Sequence, residues 1–448
     1  MLTRRTFLLG SAAAVALPLT SLRAANANSR LQVAFIGTGN QGMGLLKRFL
    51  QWDLGDVVSV CDVNRGSYGY KADDHFYGRE PARDLVVAKT SRRRAGSGTA
   101  SACRATVDFR EVLDDDRVDA VVIVLPDHWH TPASELAAAA GKHIYCEKPL
   151  TLTLAEGPRL AAAVESSGVT FQVGSHERSR PISRWVCESV REGLLGAVSA
   201  AETVVGFNNK VGPGPGWQPQ PVPETFDYDT WLGPAPQRPY HSDRCLYRFR
   251  FHYDYSGGQV TNFGAHSLDM AQWGLGRDGE TAHEVSCSRA TFLPEGSLFN
   301  TALETDFRLS YADGVAMTCT SSEPKVQVRF VGERGTITTG YGGTTASDES
   351  LLREAPPHKT AKDEPDAHAL HLQNFVQAVA GEAALHAPLP TGSAAADLCH
   401  LANVAIRRFP EHGEQPLRFD AESRTFVDTP DADELRDRTP REGWWTSS

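Results

Sequence analysis

The segment Gly37-Thr38-Gly39-Asn40-Gln41-Gly42 has the spacing of a dinucleotide-binding loop. It follows a short apolar run and opens a helical pattern, and Asp62 comes 20 residues after Gly42 (62 − 42 = 20). The first glycine permits a tight turn, the second lets a pyrophosphate approach the backbone, and the third lets helix and strand pack closely. A carboxylate at Asp62 can bind ribose hydroxyls, which favours NAD, whereas Arg65 leaves NADP open. We predict that these residues bind NAD.

Two further motifs each come directly after a predicted strand: Pro126-Asp127-His128-Trp129-His130 and Glu147-Lys148-Pro149. Residues just past the carboxyl ends of parallel strands line the ligand crevice, so both motifs are candidates for cofactor contacts. Lys148 could hydrogen-bond a substrate hydroxyl and favour its alkoxide-like transition state, and His128 or His130 could lie near a nicotinamide. The alternatives are a surface lysine and a segment that only shapes the loop and caps the next helix.

Asn262, His266 and Asp269 lie at positions i, i+4 and i+7 of a predicted helix and therefore share one face. Hydride removal from a carbinol carbon leaves an acidic proton, and a histidine near its neutral pKa suits the role of acceptor. We predict Lys148 and His266 as catalytic residues. A structural histidine is one alternative. A metal site is another, and we do not predict it because the sequence marks no third good ligand.

The elements that position these residues fall into two groups, and the first alternates short apolar strands with helices. Its predicted strands are Leu31–Ile36, Val57–Cys61, Asp119–Leu125, His143–Cys146 and, as a last strand, Phe171–Gly174. Such runs indicate buried parallel strands with right-handed crossovers. The polar segment 71–105 is expected to form a helix and then a surface loop. We expect a Rossmann domain over residues 30–150.

After residue 199 the hydrophobic pattern changes to period two, which indicates an antiparallel sheet. Its predicted strands are Ala200–Gly206, Glu284–Thr291, Thr301–Ser310, Val315–Ser321, Val326–Val331 and Gly335–Thr339. Two predicted helices, Ala369–Val379 and Ala394–Arg407, could pack back on the first domain. The Pro- and Gly-rich segment 210–239 is expected to be a long ordered loop, and such loops are usually functional. The expected fold is α/β, with a second domain over residues 151–448.

Charge and cysteine content exclude other classes of protein. The formal charge is −10, from 45 basic and 55 acidic residues, and a nucleic-acid-binding protein would require a basic face. The basic run Arg92-Arg93-Arg94 is expected to be a solvated helix end or loop. No pair of the eight cysteines has C-x-x-C spacing, so neither zinc nor thioredoxin-like chemistry is predicted. We expect a small-molecule ligand.

The N-terminus has the layout of an export signal over residues 1–27. Arg4 and Arg5 precede an apolar stretch that runs to about Leu19, and Ala25-Asn26-Ala27 offers a small-x-small cleavage site. The paired arginines, followed by Phe7 and Leu8, resemble a twin-arginine signal. The apolar run is short for a membrane span, and an uncleaved anchor is the alternative. The prediction is an exported, periplasmic or extracytoplasmic protein with no membrane span after signal removal.

With these motifs the chain resembles the glucose–fructose oxidoreductase, inositol dehydrogenase and rhizopine-catabolism (Gfo/Idh/MocA) family. The resemblance rests on the glycine loop with Asp62, on the two strand-end motifs, and on Gly264-x-His266-x-x-Asp269. It implies a Rossmann domain joined to an α/β domain whose large, mostly antiparallel sheet commonly forms subunit interfaces, and therefore a homo-oligomer. It also implies that Lys148 and His266 act on a substrate hydroxyl. Many members have aspartate where this chain has Asn262, which places more of the proton transfer on His266.

Three functions follow as hypotheses. The first is an NAD(P)-dependent oxidoreductase of a sugar, sugar derivative or cyclitol, and the second is a redox-neutral glycosidase or epimerase that passes through a keto-sugar. The third is a non-catalytic binder, which retention of both Lys148 and His266 disfavours. Aromatic and polar side chains that could contact a sugar are Arg178, Trp217, Trp231, Tyr240, Arg244, Tyr247, His252, Asn262 and Asp269.

Overall fold

A computed structural model of the protein describes residues 30–93, 103–207, 212–357 and 364–444. The export signal predicted over residues 1–27 lies outside these residues, as do Arg94 and Lys210. Within the described ranges, no helix has both the length and the apolar character that crossing a bilayer requires.

The first part of the chain forms a six-stranded parallel sheet with the strand order β3-β2-β1-β4-β5-β6. Its strands are β1 (Gln32–Ile36), β2 (Asp56–Cys61), β3 (Arg104–Thr106), β4 (Ala120–Ile123), β5 (His143–Cys146) and β6 (Phe171–Val173). The helices of this part are α1 (Asn40–Gln51), α2 (Arg79–Arg93), α3 (Arg110–Leu113), α4 (His130–Ala139), α5 (Glu156–Ser167) and α6 (Pro181–Arg191). The predicted Rossmann architecture is confirmed.

Both faces of this parallel sheet are covered, which is why its strands read as continuous apolar runs. On β1, Ala34 and Ile36 face a core completed by α4 and α5. Val33 and Phe35 face the opposite core, where α1 and α2 pack. Strands β1 and β4 are neighbours, and the helices that follow them lie on opposite faces. The loops after these two strands therefore diverge and leave a crevice at the carboxyl edge of the sheet.

Strand β3 was expected to be part of a surface loop, and this expectation is wrong. The strand has only three residues, and its Arg104 is exposed. It pairs with β2 at the edge of the sheet, with Arg104 opposite Ser59. A polar strand this short has no readable hydrophobic period, and only the tertiary pairing with β2 defines it.

The second part of the chain forms a nine-stranded sheet with the order β13-β12-β11-β7-β10-β9-β8-β14-β15. Its strands are β7 (Val198–Val204), β8 (Glu284–Thr291), β9 (Glu304–Ser310), β10 (Ala316–Thr320), β11 (Gln327–Gly332), β12 (Gly335–Gly340), β13 (Thr345–Ala346), β14 (Leu417–Asp420) and β15 (Thr425–Phe426). Every neighbouring pair is antiparallel except β7 and β10. The predicted mostly antiparallel sheet is confirmed.

The remaining helices pack around the second sheet and reach back to the first. They are α7 (Tyr228–Leu232), α8 (Gly258–Gly274), α9 (Ala367–Val379), α10 (Leu389–His412) and α11 (Pro430–Asp433). Helices α6, α8 and α10 share one core with the inner face of the sheet. Leu372 and Phe375 of α9 lie in the Rossmann core beside Phe35. This packing places α8 and α9 at the crevice of the parallel sheet.

Candidate functional site

The glycine loop is shaped for a ligand to lie against its backbone. Gly37 has a φ of +90°, and a Cβ there would lie 2.2 Å from the carbonyl oxygen of Val124. A Cβ at Gly42 would lie 2.0 Å from the carbonyl oxygen of Gly37. Helix α1 begins at Asn40, and no side chain caps its N-terminus. Its free N–H groups fit a phosphate, so the loop fits the pyrophosphate of a dinucleotide.

Asp62 is held at the end of β2 by hydrogen bonds to its carboxylate. The Thr38 N–H donates to one oxygen over 2.7 Å, and the Asn64 N–H donates to the other over 2.8 Å. Burial raises the pKa of this carboxyl, and the two donors oppose that shift. Thr38 itself does not line the cleft but orients Asp62, which does. The carboxylate is thus positioned for ribose hydroxyls.

Replacing Asp62 with alanine is expected to weaken NAD binding about 10- to 100-fold, because hydrogen bonds to charged groups contribute roughly 1.5–3 kcal/mol. Calorimetric titration of the variant with NAD measures the change. Asp56→Ala is a matched control at the opposite end of β2. A wild-type protein that bound NADP more tightly than NAD would contradict the role of Asp62.

The motif Glu147-Lys148-Pro149 and the first turns of α8 open into one cleft, whose cavity has a volume of about 500 Å³. Its lining includes the dinucleotide loop, Asp62, Pro126, Glu147, Lys148, Asn262 and His266. The sequence separates these residues by more than 200 positions, and the packing of α8 against the carboxyl edge of the parallel sheet brings them together. The cleft therefore unites the predicted cofactor residues, except Thr38, His128 and His130, with both predicted catalytic residues.

Lys148 points at the first turns of α8. Its ammonium donates to the backbone oxygen of Asn262 over 2.8 Å and lies 3.2 Å from the Asn262 side-chain oxygen. Burial lowers the pKa of Lys148, and the neighbouring Glu147 carboxylate partly restores it. A half-buried ammonium held this way can give a short, well-directed hydrogen bond to a substrate oxygen.

Glu147 comes directly after β5 and connects the dinucleotide loop to the neighbouring Lys148. One carboxylate oxygen lies 3.4 Å from the Gln41 amide nitrogen, and the other accepts from the Lys148 N–H over 3.2 Å. Burial raises the pKa of Glu147, which Lys148 opposes. Position 174 requires glycine, since a Cβ added there would lie 2.8 Å from the Glu147 carboxyl group. Glu147 thus couples the position of Lys148 to the loop.

His266 lies one helical turn after Asn262 and is almost fully buried. Its Nδ1 has no hydrogen-bond partner among the described residues. Its ring centroid is 4.8 Å from that of His176, which in turn stacks on His368 at 3.6 Å. Burial, reinforced by the Lys148 charge, holds the pKa of His266 well below its ordinary value. Burial and the Lys148 charge thus favour the neutral imidazole, the form in which one ring nitrogen can accept a hydrogen bond from a hydroxyl.

His128 and His130 were expected near the nicotinamide, and the structure places both side chains away from the cleft. His128 Nε2 lies 3.0 Å from the Trp231 carbonyl oxygen, and His130 Nδ1 lies 2.6 Å from the Pro149 carbonyl oxygen. Burial lowers their pKa values to about 3 and about 4. The short turn Asp127–Trp129 and the start of α4 direct these rings into the protein, where they contact α7 at Trp231 and the loop at Pro149.

Arg178, Asp269, Tyr240 and Arg244 also lie outside the cleft, contrary to the expectation of substrate contacts. Arg178 and Asp269 form a buried ion pair at 2.7 Å, because Asp269 lies a turn deeper along α8 than His266. Tyr240 packs in an aromatic cluster, and the Arg244 guanidinium stacks on Trp217 at 5.3 Å. Trp217 and His252 lie outside as well, whereas Trp231 and Tyr247 line the cleft as predicted.

Several cleft residues were missed by the sequence analysis. His176 follows β6, so the strand-end rule could have found it, whereas His368 is brought in only by the packing of α9. Tyr70, which borders the glycine loop, and Arg250 lie in segments without a readable period. Among the described residues, no group of three or more His, Cys, Asp or Glu side chains is arranged to hold a metal ion.

Comparison with known families matches both halves of the chain. Residues 31–175 match the NAD-binding Rossmann fold of the Gfo/Idh/MocA oxidoreductase family. Residues 182–446 match the family's C-terminal alpha/beta domain. The first match contains the dinucleotide loop, Asp62 and Lys148, and the second contains His266, so the cleft lies between two domains of a known pairing.

Individual relatives match shorter segments. Levoglucosan dehydrogenase from Pseudarthrobacter phenanthrenivorans is 32% identical over 30% of this chain and 35% of its own length. A glycosyl hydrolase family 109 protein from Stenotrophomonas maltophilia is 28% identical over 43% of this chain and 40% of its own length. The chain thus spans less than half the length of these curated relatives. The structure of aldose-aldose oxidoreductase from Caulobacter crescentus, complexed with glycerol, shares the fold with a TM-score of 0.61, 18% identity, and coverage of 87% of this chain and 100% of that one.

Proposed function

Because the chain belongs to the Gfo/Idh/MocA oxidoreductase family and has its NAD-binding Rossmann domain, we propose that it transfers a hydride between a nicotinamide and the CH–OH group of a sugar, sugar derivative or cyclitol. One observation carries the proposal. A single cleft contains the dinucleotide loop, the Lys148 side chain and the imidazole of His266. Those are the groups that oxidation of a carbinol needs.

The dinucleotide would be held by the loop Gly37–Gly42 and by Asp62, and when bound it supplies the hydride acceptor or donor. Lys148 donates a hydrogen bond to the substrate oxygen and stabilises the negative charge that develops there as the C–H bond breaks. His266, whose side chain lines the cleft, accepts the hydroxyl proton in the oxidative direction and returns it in the reverse direction. Asn262 cannot take a proton and instead holds the Lys148 ammonium in place.

The match to a glycosyl hydrolase family 109 protein favours a second candidate. In this redox-neutral reaction the same carbinol is oxidised and later reduced again, and the intermediate ketone acidifies the neighbouring C–H bond so that a leaving group departs. The residues and their first step are the same in both candidates. They differ in whether NADH accumulates during steady turnover.

Export through a twin-arginine signal over residues 1–27 remains a proposal, supported by Arg4 and Arg5 and the following apolar run. Folding before export would let the protein take up NAD in the cytoplasm, and an exported protein that lost its cofactor would find none outside. This reasoning supports tight NAD retention and, with it, the redox-neutral candidate. Comparing the mass of the mature chain with that of the full sequence in cell fractions tests export.

A homo-oligomer formed through the nine-stranded sheet also remains a proposal. The face of this sheet away from the helices carries alternating charged side chains, such as the exposed pair Arg329 and Glu202. A polar sheet face of this kind can form an isologous interface between two copies. Sedimentation analysis of the wild-type protein and of Arg329→Glu tests it, and a monomer in both would contradict it.

Mass and absorbance analysis of protein purified without added nucleotide tests the cofactor, and a screen of glycosides and polyols tests the reaction. We expect bound NAD(H) and oxidation of at least one carbinol. A protein that retained nucleotide but converted no member of the screen would favour a non-catalytic binder. Release of NADH with a sugar alone would favour the simple dehydrogenase over the redox-neutral reaction.

A further inference from the structure

Arg250 lies in the catalytic cleft without a carboxylate partner among the described residues. It is on a short turn, Phe249–Phe251, that precedes α8. Its Nε donates to the Tyr247 carbonyl oxygen over 3.0 Å, and its guanidinium stacks on the Tyr247 ring at 4.1 Å. These contacts fix the plane of the guanidinium. Most other arginines inside this fold form ion pairs, for example Arg178 with Asp269 at 2.7 Å.

Arg250 and Lys148 converge on one neutral oxygen. The Asn262 side-chain oxygen lies 3.2 Å from the Lys148 ammonium and 3.4 Å from Arg250 Nη1. An aspartate at position 262 would neutralise part of the positive charge of Lys148 and Arg250. The Asn262 amide accepts hydrogen bonds from both cations and leaves their charge in place. Two cations that share one neutral acceptor favour an anionic group in the space between them.

Two acidic groups, Asp127 and Glu147, lie near this pair and interact with its charges. Asp127 is buried in the same cleft, and burial raises its pKa to about 7 despite Lys148 and Arg250. Glu147, next to Lys148 in the chain, also contacts Gln41 and Tyr145, so its carboxylate is shared among several partners. Burial also lowers the pKa of the Arg250 guanidinium, so an anion that neutralised this charge would relieve a cost present without a ligand.

We propose that Arg250, together with Lys148, binds a carboxylate of the substrate, so that the enzyme acts on a sugar acid rather than on a neutral sugar. This inference rests on the proposed function and specifies its substrate class. The fixed guanidinium presents a planar donor edge, which matches a carboxylate in a bidentate pair. Because Lys148 also serves the reacting hydroxyl, the carboxylate lies close to the carbinol that is oxidised, as in a uronate or an aldonate.

The test compares matched substrates in protein that retains NAD. D-Glucuronate and D-galacturonate are compared with their neutral partners D-glucose and D-galactose, in the wild-type protein and in Arg250→Gln. D-Gluconate adds a further carboxylate, and glucose 6-phosphate adds an anion that has no carboxylate. We expect the wild type to prefer a carboxylate over its neutral partner in kcat/KM. In Arg250→Gln we expect that preference to fall at least about 30-fold, equivalent to about 2 kcal/mol. Arg250→Lys keeps the positive charge and should restore part of the preference for the carboxylate.

Arg248→Gln is the matched control, because Arg248 lies two residues away, is exposed and pairs with Asp243 outside the cleft. Equal losses on acidic and neutral sugars in Arg250→Gln would overturn the inference, and so would a wild type that turned over only neutral sugars or only the phosphate. In either case the proposed oxidoreductase function would stand. Calorimetric binding of D-glucuronate supplies a readout without turnover. Binding that Arg250→Gln abolishes and Arg248→Gln preserves supports the inference even if no hydride transfer is seen.

Discussion

Lys148→Met is expected to lower kcat about 10²- to 10³-fold while leaving the affinity for NAD nearly unchanged. Methionine keeps the length and apolar stem of lysine but removes the ammonium that is held over 2.8 Å by the Asn262 carbonyl oxygen. Removal of one preorganised donor to a developing oxyanion has costs of this size in other enzymes. Rapid-mixing kinetics on a substrate found by the screen measures kcat, and calorimetry measures NAD affinity.

His266→Ala is the companion variant, and we expect a comparable loss, since general-base catalysis contributes about 10²- to 10⁴-fold. Lys47→Met is a matched control, because Lys47 is an exposed residue of α1 outside the cleft. Retained NAD shows that each variant is folded. Full activity of both Lys148→Met and His266→Ala on a confirmed substrate would mean that other residues carry out the chemistry.

Gly42→Ala is expected to weaken NAD binding by more than about 100-fold, equivalent to more than about 2.7 kcal/mol. The added methyl carbon would lie 2.0 Å from the Gly37 carbonyl oxygen, so the loop must open or α1 must move away from β1. Either change displaces the backbone N–H groups from a bound pyrophosphate. Titration with NAD, with circular dichroism as a check on folding, measures the effect.

Gly44→Ala supplies the matched control for Gly42→Ala. It lies two residues further along α1, and its Cβ would meet only the Arg48 guanidinium, at 3.4 Å. Alanine in a helix interior is more favourable than glycine by roughly 0.5–1 kcal/mol, so this variant should be at least as stable as wild type and bind NAD normally. A folded Gly42→Ala protein with wild-type affinity for NAD would show that the loop does not hold the pyrophosphate.

The sequence predicted those parts of the site that depend on local chain geometry. The glycine loop, Asp62 and Lys148 each follow a strand, and strand ends meet at one edge of a parallel sheet, so their position follows from the order of elements. His266 was predicted from helical spacing and from the family resemblance. These residues line one cleft in the structure.

What the sequence could not predict depends on side-chain direction and on packing between distant segments. His128 and His130 follow a strand end like Lys148, but their rings turn inward to carbonyl groups of Trp231 and Pro149. Asp269 shares a helical face with His266 yet meets Arg178 in the core. Periodicity places a residue on a face without specifying which neighbour that face meets.

Arg250 and His368 are cleft residues that the sequence did not indicate. Arg250 lies on a turn of three residues, and His368 lies in the first turn of α9, which is joined to the cleft only because Leu372 and Phe375 pack in the Rossmann core. Neither position has a motif or a strand end beside it. Both become visible as cleft residues only when the two domains are assembled.

Observation of deuterium transfer shows whether the substrate carbon gives its hydride to the bound nucleotide. Protein that retains oxidised NAD is mixed with a substrate found by the screen and deuterated at the reacting carbinol carbon. The reaction is quenched within one turnover, and the nucleotide is analysed by mass. We expect one deuterium in the NADH extracted from the wild-type protein, and a rate of NADH formation lowered about 10²- to 10³-fold in Lys148→Met. Conversion of the sugar with no deuterium in the nucleotide at any time would contradict this expectation.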